Sequence, residues 1–139
     1  MDEMSDLEPS SHIFRHIKKS WIDGDFVDPA AFRLRQGIES GLSVNWVEYF
    51  ERATPAEAVQ ALGEVLEKKG RRVGGESRFA LLNVGEAKLA AARYVRIEIV
   101  RDEEPGDPSH SLVVGYSAYN DQVAEELAKV VMATLPAKP

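Results

Sequence analysis

The side chains best suited to chemistry in this sequence are a serine, a histidine and a carboxylate at separated positions. Ser43 and His110 are far apart in the chain, and Asp107 comes three residues before the histidine. A hydrolytic triad uses these residue types: the histidine takes the serine proton and the carboxylate orients the imidazole. Ser43, however, falls in a predicted strand rather than on a strained turn. We therefore favour two other interpretations of residues 107–110, Asp-Pro-Ser-His. These residues are typical of a turn held by its own side chains, or of a ligand-contacting loop without a covalent step.

A second candidate group is His12-x-x-Arg15-His16. On a helix, His12 and His16 would share a face at a spacing that can hold Zn²⁺, with His110 or Asp107 as a third ligand. On a strand the two imidazoles would lie roughly 13 Å apart, too far for one ion. We favour surface or capping histidines, so the sequence predicts no metal and no cofactor.

Polar residues from three segments could line one pocket for a small ligand. Ser43 and Asn45 share one face of a predicted strand, and the Trp46 ring could stack on a ligand. Alternatively, Trp46 anchors the approach to the next helix. The residues of this ligand-binding hypothesis are Arg15, His16, Ser43, Asn45, Trp46 and His110. A pocket of ordinary size requires Arg15, Ser43 and His110 to lie within roughly 12 Å of one another.

Basic residues concentrate in one stretch of an acidic chain. Residues 12–36 hold five basic and three acidic side chains, whereas residues 1–11 and 102–107 together hold eight acidic ones. The basic stretch could receive an anionic small ligand or an acidic protein surface. A solvated face without a partner is the alternative.

Composition excludes several classes of protein. A chain of 139 residues is long enough for one domain with its own core. It contains no cysteine, which excludes disulfides and thiolate metal sites. A net charge of −6 argues against general nucleic-acid binding. No apolar run reaches the ~18 residues of a membrane span, and the acidic start is not a secretory signal, so we expect a cytoplasmic protein.

Two amphipathic helices are predicted. Residues 54–57, Thr-Pro-Ala-Glu, have a capping threonine, a proline at the first helical position and a glutamate that can reach back to the Thr54 amide. The apolar stripe that follows ends at Gly70. A second stripe begins at the Asn120-Asp121 cap and predicts a helix to Leu135.

Strands are predicted around the first helix. Tyr94–Arg101 alternates apolar and polar residues, as a half-buried strand does, and residues 41–46 alternate similarly. Residues 79–84 and 112–116 are short apolar runs typical of central strands. The segment His12–Trp21 fits either a helix or a strand, and we favour a short strand followed by a turn.

These elements predict an α+β fold with a mixed or antiparallel sheet of four to five strands and two amphipathic helices packed on it. Residues 12–135 form a single domain in this interpretation. Residues 1–11 are expected to be a disordered acidic tail, and residues 136–139 a loose C-terminus.

Four short motifs follow one another along the domain: Arg15-His16-Ile17, Ala31-Phe32-Arg33, Leu42-Ser43-Val44 and Pro108-Ser109-His110. In this order they resemble a scattered group of small bacterial proteins. The resemblance implies a bacterial, cytoplasmic protein. It implies no activity, because none is established for that group.

The sequence does not show a convergent catalytic set, which favours a protein that acts by binding. We expect an accessory or regulatory component of a larger assembly, with a protein partner. The alternative is a small-ligand-binding or degenerate enzyme that uses Arg15, His16, Ser43, Asn45 and His110. An anionic small ligand suits the basic residues, whereas nucleic acid does not suit the net charge.

Overall fold

The structure is a computed structural model that describes residues 6–35, 37, 40–71 and 73–137. The helices of this part are α1 (Pro55–Lys68), α2 (Val84–Ala91) and α3 (Asp121–Lys129), with short 3₁₀ helices at Lys19–Trp21, Pro29–Phe32 and Val47–Phe50. Its strands are β1 (His12–Ile17), β2 (Ile22–Asp23), β3 (Phe26–Val27), β4 (Leu42–Trp46), β5 (Arg78–Asn83), β6 (Glu98–Arg101), β7 (His110–Val114) and β8 (Ala133–Pro136).

Six of these strands form one sheet in the order β6-β7-β4-β1-β5-β8, and every neighbouring pair is antiparallel. β2 and β3 form a separate two-stranded hairpin. The prediction of an α+β fold with an antiparallel sheet is confirmed. The predicted numbers were wrong: the described residues contain six strands in the main sheet, not four to five, and three α-helices, not two.

The ambiguous segment at residues 12–21 is a strand followed by a tight turn. β1 pairs with β5 along its whole length, from His12 opposite Asn83 to Ile17 opposite Arg78. The 3₁₀ helix Lys19–Trp21 follows it. The strand prediction is therefore confirmed: Ile13 and Ile17 are buried on one face of β1 and Phe14 on the other.

Helix α1 begins and ends where its capping residues predict. The Thr54 hydroxyl accepts a hydrogen bond from the Glu57 amide at 3.2 Å. The Glu57 carboxylate accepts one from the amide of Ala53, also at 3.2 Å, rather than from that of Thr54. Gly70 follows the helix with φ +78°, the left-handed conformation that glycine adopts without strain.

Helix α2 is absent from the sequence prediction, and it shortens the strand predicted after it. Asn83 caps α2, because its side-chain oxygen accepts a hydrogen bond from the Glu86 amide at 2.9 Å. The amides of Tyr94 and Val95 both bond to the Ala91 carbonyl, at 2.9 and 3.0 Å, and so continue the helix end as a turn. β6 therefore begins at Glu98 instead of Tyr94.

The C-terminal segment is a strand where a helix was predicted. α3 ends at Lys129, and the Met132 amide then bonds to the Leu81 carbonyl at 2.8 Å. Pairing with β5 gives residues 133–136 backbone partners that a longer helix would not have. Ala137 is buried and its amide donates to Ser77 at 3.0 Å, so residues 136–137 are not loose. Residues 138–139 lie outside the described residues.

The N-terminal residues 6–11 lie against the sheet and are not a disordered tail. Leu7 is buried, and its amide bonds to the Ile99 carbonyl of edge strand β6 at 2.9 Å. The Pro9 carbonyl accepts hydrogen bonds from Gly85 and from the Asn83 side chain, both at 3.0 Å. An open sheet edge offers unpaired backbone groups, and this segment satisfies some of them. Residues 1–5 of the predicted tail lie outside the described residues.

The sheet separates two hydrophobic cores. Phe14, Phe79 and Leu81 belong to the core that includes the buried face of α1. Ile13 and Ile17 belong to the other core, which α2 and α3 cover. Since successive strand residues point to opposite faces, Arg15 lies on the α2–α3 face and His16 on the α1 face.

Truncating a side chain at the centre of the α1 core tests this packing. Phe14 is fully buried, so we expect Phe14→Ala to lower the free energy of unfolding by about 3–5 kcal/mol. Leu89 on α2 is 76% exposed, and Leu89→Ala should change the free energy by no more than about 0.5 kcal/mol. Urea denaturation measures both. Equal losses in the two variants would contradict the described core.

Candidate functional site

The pairing of β4 with β7 brings three of the predicted site residues to one face of the sheet. Asn45 lies opposite His110 in this ladder and opposite Phe14 in the β1–β4 ladder. Ser43 is two residues before Asn45 and therefore shares its face. Phe14 identifies this face as the one that α1 covers. Ser43, Asn45 and His110 thus meet beside the α1 core.

Ser43 and His110 are directly hydrogen bonded. The Ser43 Oγ lies 3.1 Å from His110 Nε2. The other ring nitrogen, Nδ1, is 2.9 Å from the Asp102 carbonyl oxygen and 3.3 Å from Asp102 Oδ2. A carbonyl oxygen has no proton to give, so Nδ1 carries the hydrogen and donates it. In the neutral imidazole Nε2 then has a lone pair, and the Ser43 hydroxyl donates to it.

The carboxylate beside this histidine is Asp102, not the Asp107 of the triad considered for the sequence. Asp102 directly follows β6, and its amide donates to the His110 carbonyl at 2.9 Å. The antiparallel β6–β7 pairing therefore places Asp102 next to His110, although eight residues separate them in the chain. Asp107 is only three residues away but faces other partners.

Asp107 is the acceptor at the centre of a buried polar network. Asn45 Nδ2 donates to Asp107 Oδ1 at 3.0 Å and to Ser109 Oγ at 2.9 Å. The Lys69 ammonium lies 3.4 Å from Asp107 Oδ2 and 3.0 Å from Glu104 Oε1. Because Asp107 is 1% exposed, its charge needs this compensation. The contacts support the turn-stabilising role that the sequence predicts for Asp107 and Ser109.

Arg15 and Trp46 lie on the other face of the sheet and do not line this site. Arg15 donates to the backbone carbonyl of Ala31 at 2.8 Å and to that of Ser43 at 3.1 Å. It therefore holds the back of β4, not a ligand on the Ser43 hydroxyl side. Trp46 is opposite Ile13, and the Arg101 guanidinium lies 5.0 Å from its ring centre. Strand alternation thus removes both residues from the predicted pocket.

His16 shares the α1 face and lies in apolar surroundings. Its ring centre is 5.1 Å from that of Phe79, and its Nε2 atom is buried with no hydrogen-bond partner among the described residues. Burial lowers the pKa of this imidazole, and the positive charges of Arg15 and Arg71 lower it further. His16 is therefore neutral at neutral pH.

The two histidines of β1 have separate surroundings. His12 Nδ1 lies 2.6 Å from Glu48 Oε2, and the His12 amide donates to Glu48 Oε1 at 2.8 Å. Four residues along a strand place His12 and His16 roughly 13 Å apart. The helical metal pair considered for the sequence therefore does not form.

Most of the basic stretch at residues 12–36 is engaged within the chain. Lys18 lies over the Trp21 ring at 4.6 Å, Lys19 pairs with Glu76 at 2.9 Å, and Arg33 with Asp121 at 3.3 Å. Exposed pairs of this kind are weak and can exchange partners.

Among the described residues, no helix combines the length and apolar character needed to span a bilayer.

The neutral state of His16 predicts a pH dependence of stability. In the unfolded chain a histidine titrates at about 6.5, above the folded value here. As the pH falls below about 6.5, the unfolded chain takes up a proton that the folded chain resists, and the protein loses stability. His16→Gln should lose less stability than the wild type between about pH 7.5 and 5.5. Urea midpoints at the two pH values measure this, and equal losses would contradict it.

Comparison of the chain with models of protein families, with curated proteins and with solved structures finds no match. No activity, substrate or partner of a relative is therefore carried over to Ser43, Asn45 or His110. The resemblance to small bacterial proteins stays a prediction.

Proposed function

We propose that this protein is a small enzyme-like domain that binds a carbonyl compound and attacks it with the Ser43 hydroxyl. The contact that supports the proposal is the 3.1 Å hydrogen bond between Ser43 Oγ and His110 Nε2. It uses the triad chemistry considered for the sequence, with Asp102 in place of Asp107, and it goes beyond the small-ligand-binding or degenerate enzyme considered there as the alternative function. The reaction class is acyl transfer to serine, followed by hydrolysis.

The roles follow from the hydrogen bonds. His110 accepts the Ser43 proton at Nε2 while the Ser43 oxygen forms a bond to the carbonyl carbon. The protonated ring then gives the proton to the leaving group as the bond between that group and the carbonyl carbon breaks, which leaves an acyl-serine. The Asp102 carboxylate, 3.3 Å from Nδ1, stabilises the positive charge on the imidazole during this step. Water then hydrolyses the acyl-serine, with His110 as the base.

The exposure of these residues limits which molecules can react. His110 is 4% exposed, so the leaving group and the hydrolytic water can reach its Nε2 atom only beside Ser43, which is partly accessible. The Asn45 amide is already bonded to Asp107 and Ser109. A ligand therefore meets a single reactive group, the Ser43 hydroxyl.

A fluorophosphonate probe tests the proposal, because it reacts with serines activated by a histidine. We expect labelling of the wild type at Ser43 and none in Ser43→Ala. His110→Gln should label about 10²–10⁴ times more slowly, the usual effect of losing a general base. Mass spectrometry of the labelled peptide identifies the site.

Ser20→Ala is the matched control, since Ser20 is exposed and lies outside the candidate site. It should label at the wild-type rate. Circular dichroism shows that each variant is folded before rates are compared. Absence of label on Ser43 in the folded wild type would refute the proposed function, as would an unchanged rate in folded His110→Gln.

The accessory, partner-binding function is a second candidate, supported by a separate apolar groove. The groove has a volume of about 790 Å³, and Leu89, at its rim, is 76% exposed. Exposed apolar surface of this kind is typical of a protein contact. Its lining includes Pro9, Gly85, Leu89, Ala92 and Ile97.

Isolation of the protein from its native cells tests this second candidate. We expect a stoichiometric partner that Leu89→Asp loses, because a charge in the groove would have to be desolvated on binding. Met132→Asp is the control, since Met132 is also an exposed apolar residue (53%) but lies outside the groove. Isolation of the wild type alone, without a partner, would contradict the proposal.

A further inference from the structure

We propose that the turn between β6 and β7 binds a divalent cation of the zinc class, and that this binding suppresses the reactivity of Ser43. The ligands are the carboxylates of Asp102 and Glu104 and the Nδ1 atom of His110. Each residue offers one ligand atom, and the three atoms all lie within 4.8 Å of one another. The cation site depends on this cluster alone, whereas its effect on Ser43 rests on the proposed function.

The distances suit a single ion. Zinc takes imidazole nitrogen and carboxylate oxygen at about 2.0–2.2 Å, so ligand atoms around a tetrahedral ion lie about 3.4 Å apart. His110 Nδ1 is 3.3 Å from Asp102 Oδ2 and 3.8 Å from Glu104 Oε2. Small side-chain movements would therefore admit an ion with one position open to water. The nitrogen ligand favours zinc over Mg²⁺, which prefers oxygen ligands.

The charge of the turn also suits a dication. The Lys69 ammonium pairs with the carboxylates of Glu104 and Asp107, and the Asp102 carboxylate lies in the same cluster as Glu104. With His110 neutral, the three carboxylates and the Lys69 ammonium together carry a formal charge of −2, which one divalent cation balances. Lys69 contacts Oε1 of Glu104, whereas Oε2 of the same carboxylate faces His110.

The surroundings hold the ligands in place. The Asp102 amide donates to the His110 carbonyl at 2.9 Å, which fixes the two residues relative to each other. Ser43 Oγ lies 3.1 Å from His110 Nε2, the ring nitrogen that faces away from the cluster. Histidines that bind metals almost always have such a partner on the second nitrogen, which fixes the tautomer.

Cation binding changes the position of the imidazole proton. Without a cation, Nδ1 carries the proton and Nε2 accepts the Ser43 hydrogen bond. A cation replaces the proton on Nδ1, so the hydrogen bond from Nδ1 to the Asp102 carbonyl is broken, the ring carries its proton on Nε2 instead and stays neutral. Nε2–H then donates to Ser43 Oγ, and Ser43 has no base to accept its proton. The two states of His110 are mutually exclusive.

Calorimetric titration of the chelator-treated full chain with Zn²⁺ tests the site without using Ser43 reactivity. We expect one site in the wild type and at least about tenfold weaker binding in Glu104→Gln. Even the loss of a residue that only supports a metal ligand lowers metal affinity by roughly 10–100-fold, and Glu104 is itself a ligand in this proposal. Glu103→Gln is the matched control: Glu103 is the neighbouring acid, pairs with Arg101 and lies outside the cluster. It should bind Zn²⁺ like the wild type.

Nitrogen-15 NMR of the imidazoles tests the change of tautomer. We expect the His110 proton on Nδ1 without zinc and on Nε2 with it. Fluorophosphonate labelling of Ser43 should fall at least about tenfold in the wild type and in Glu103→Gln when zinc saturates the site, since a general base contributes 10²–10⁴-fold.

Each outcome bears on a separate part of the proposal. Absence of Zn²⁺ binding, or equal affinity in folded Glu104→Gln, would refute the cation site. Binding without a change in the His110 tautomer or in Ser43 labelling would refute the coupling. Absence of labelling with and without zinc would refute the proposed function and leave the calorimetric result to decide the cation site.

Discussion

The alternation of side chains along β1 is the constraint on which the rest of the structure depends. β1 lies between β4 and β5, and each of its faces packs into one of the two hydrophobic cores. Phe14 enters the α1 core, while Ile13 and Ile17 enter the core under α2 and α3. A shift of one residue in register would exchange the two sets and place Arg15 in the α1 core. The same alternation decides which polar residues can meet at Ser43.

The second constraint is the buried charge of Asp107. A carboxylate that is 1% exposed would be costly without compensation, and Lys69, Asn45 and Ser109 supply it. Lys69 follows α1, so the network joins the end of that helix to the β6–β7 turn. The turn is thereby fixed, and with it the position of Asp102 beside His110.

Local sequence patterns predicted the elements that neighbouring residues cap or stabilise. They failed where pairing with a distant strand determines the secondary structure. The Thr54 cap and the stripe of α1 are readable in the sequence, as is the alternation of β1. Residues 133–136 resemble the end of a helix until β5 offers them a partner. The capping pair Asn83 and Glu86 did signal α2, but the preceding apolar run concealed it.

The same distinction explains the candidate site. Asp107 is near His110 in the chain, so the triad considered for the sequence used its carboxylate. Only the β6–β7 pairing brings Asp102 to His110 Nδ1. Ser43 likewise reaches Nε2 only because β4 pairs with β7. A neutral imidazole carries one proton for its two ring nitrogens. A ligand that displaces the proton from Nδ1 therefore leaves it on Nε2 and reverses the direction of the hydrogen bond with Ser43. A cation on Nδ1 would act on Ser43 through this single ring, without any movement of the sheet.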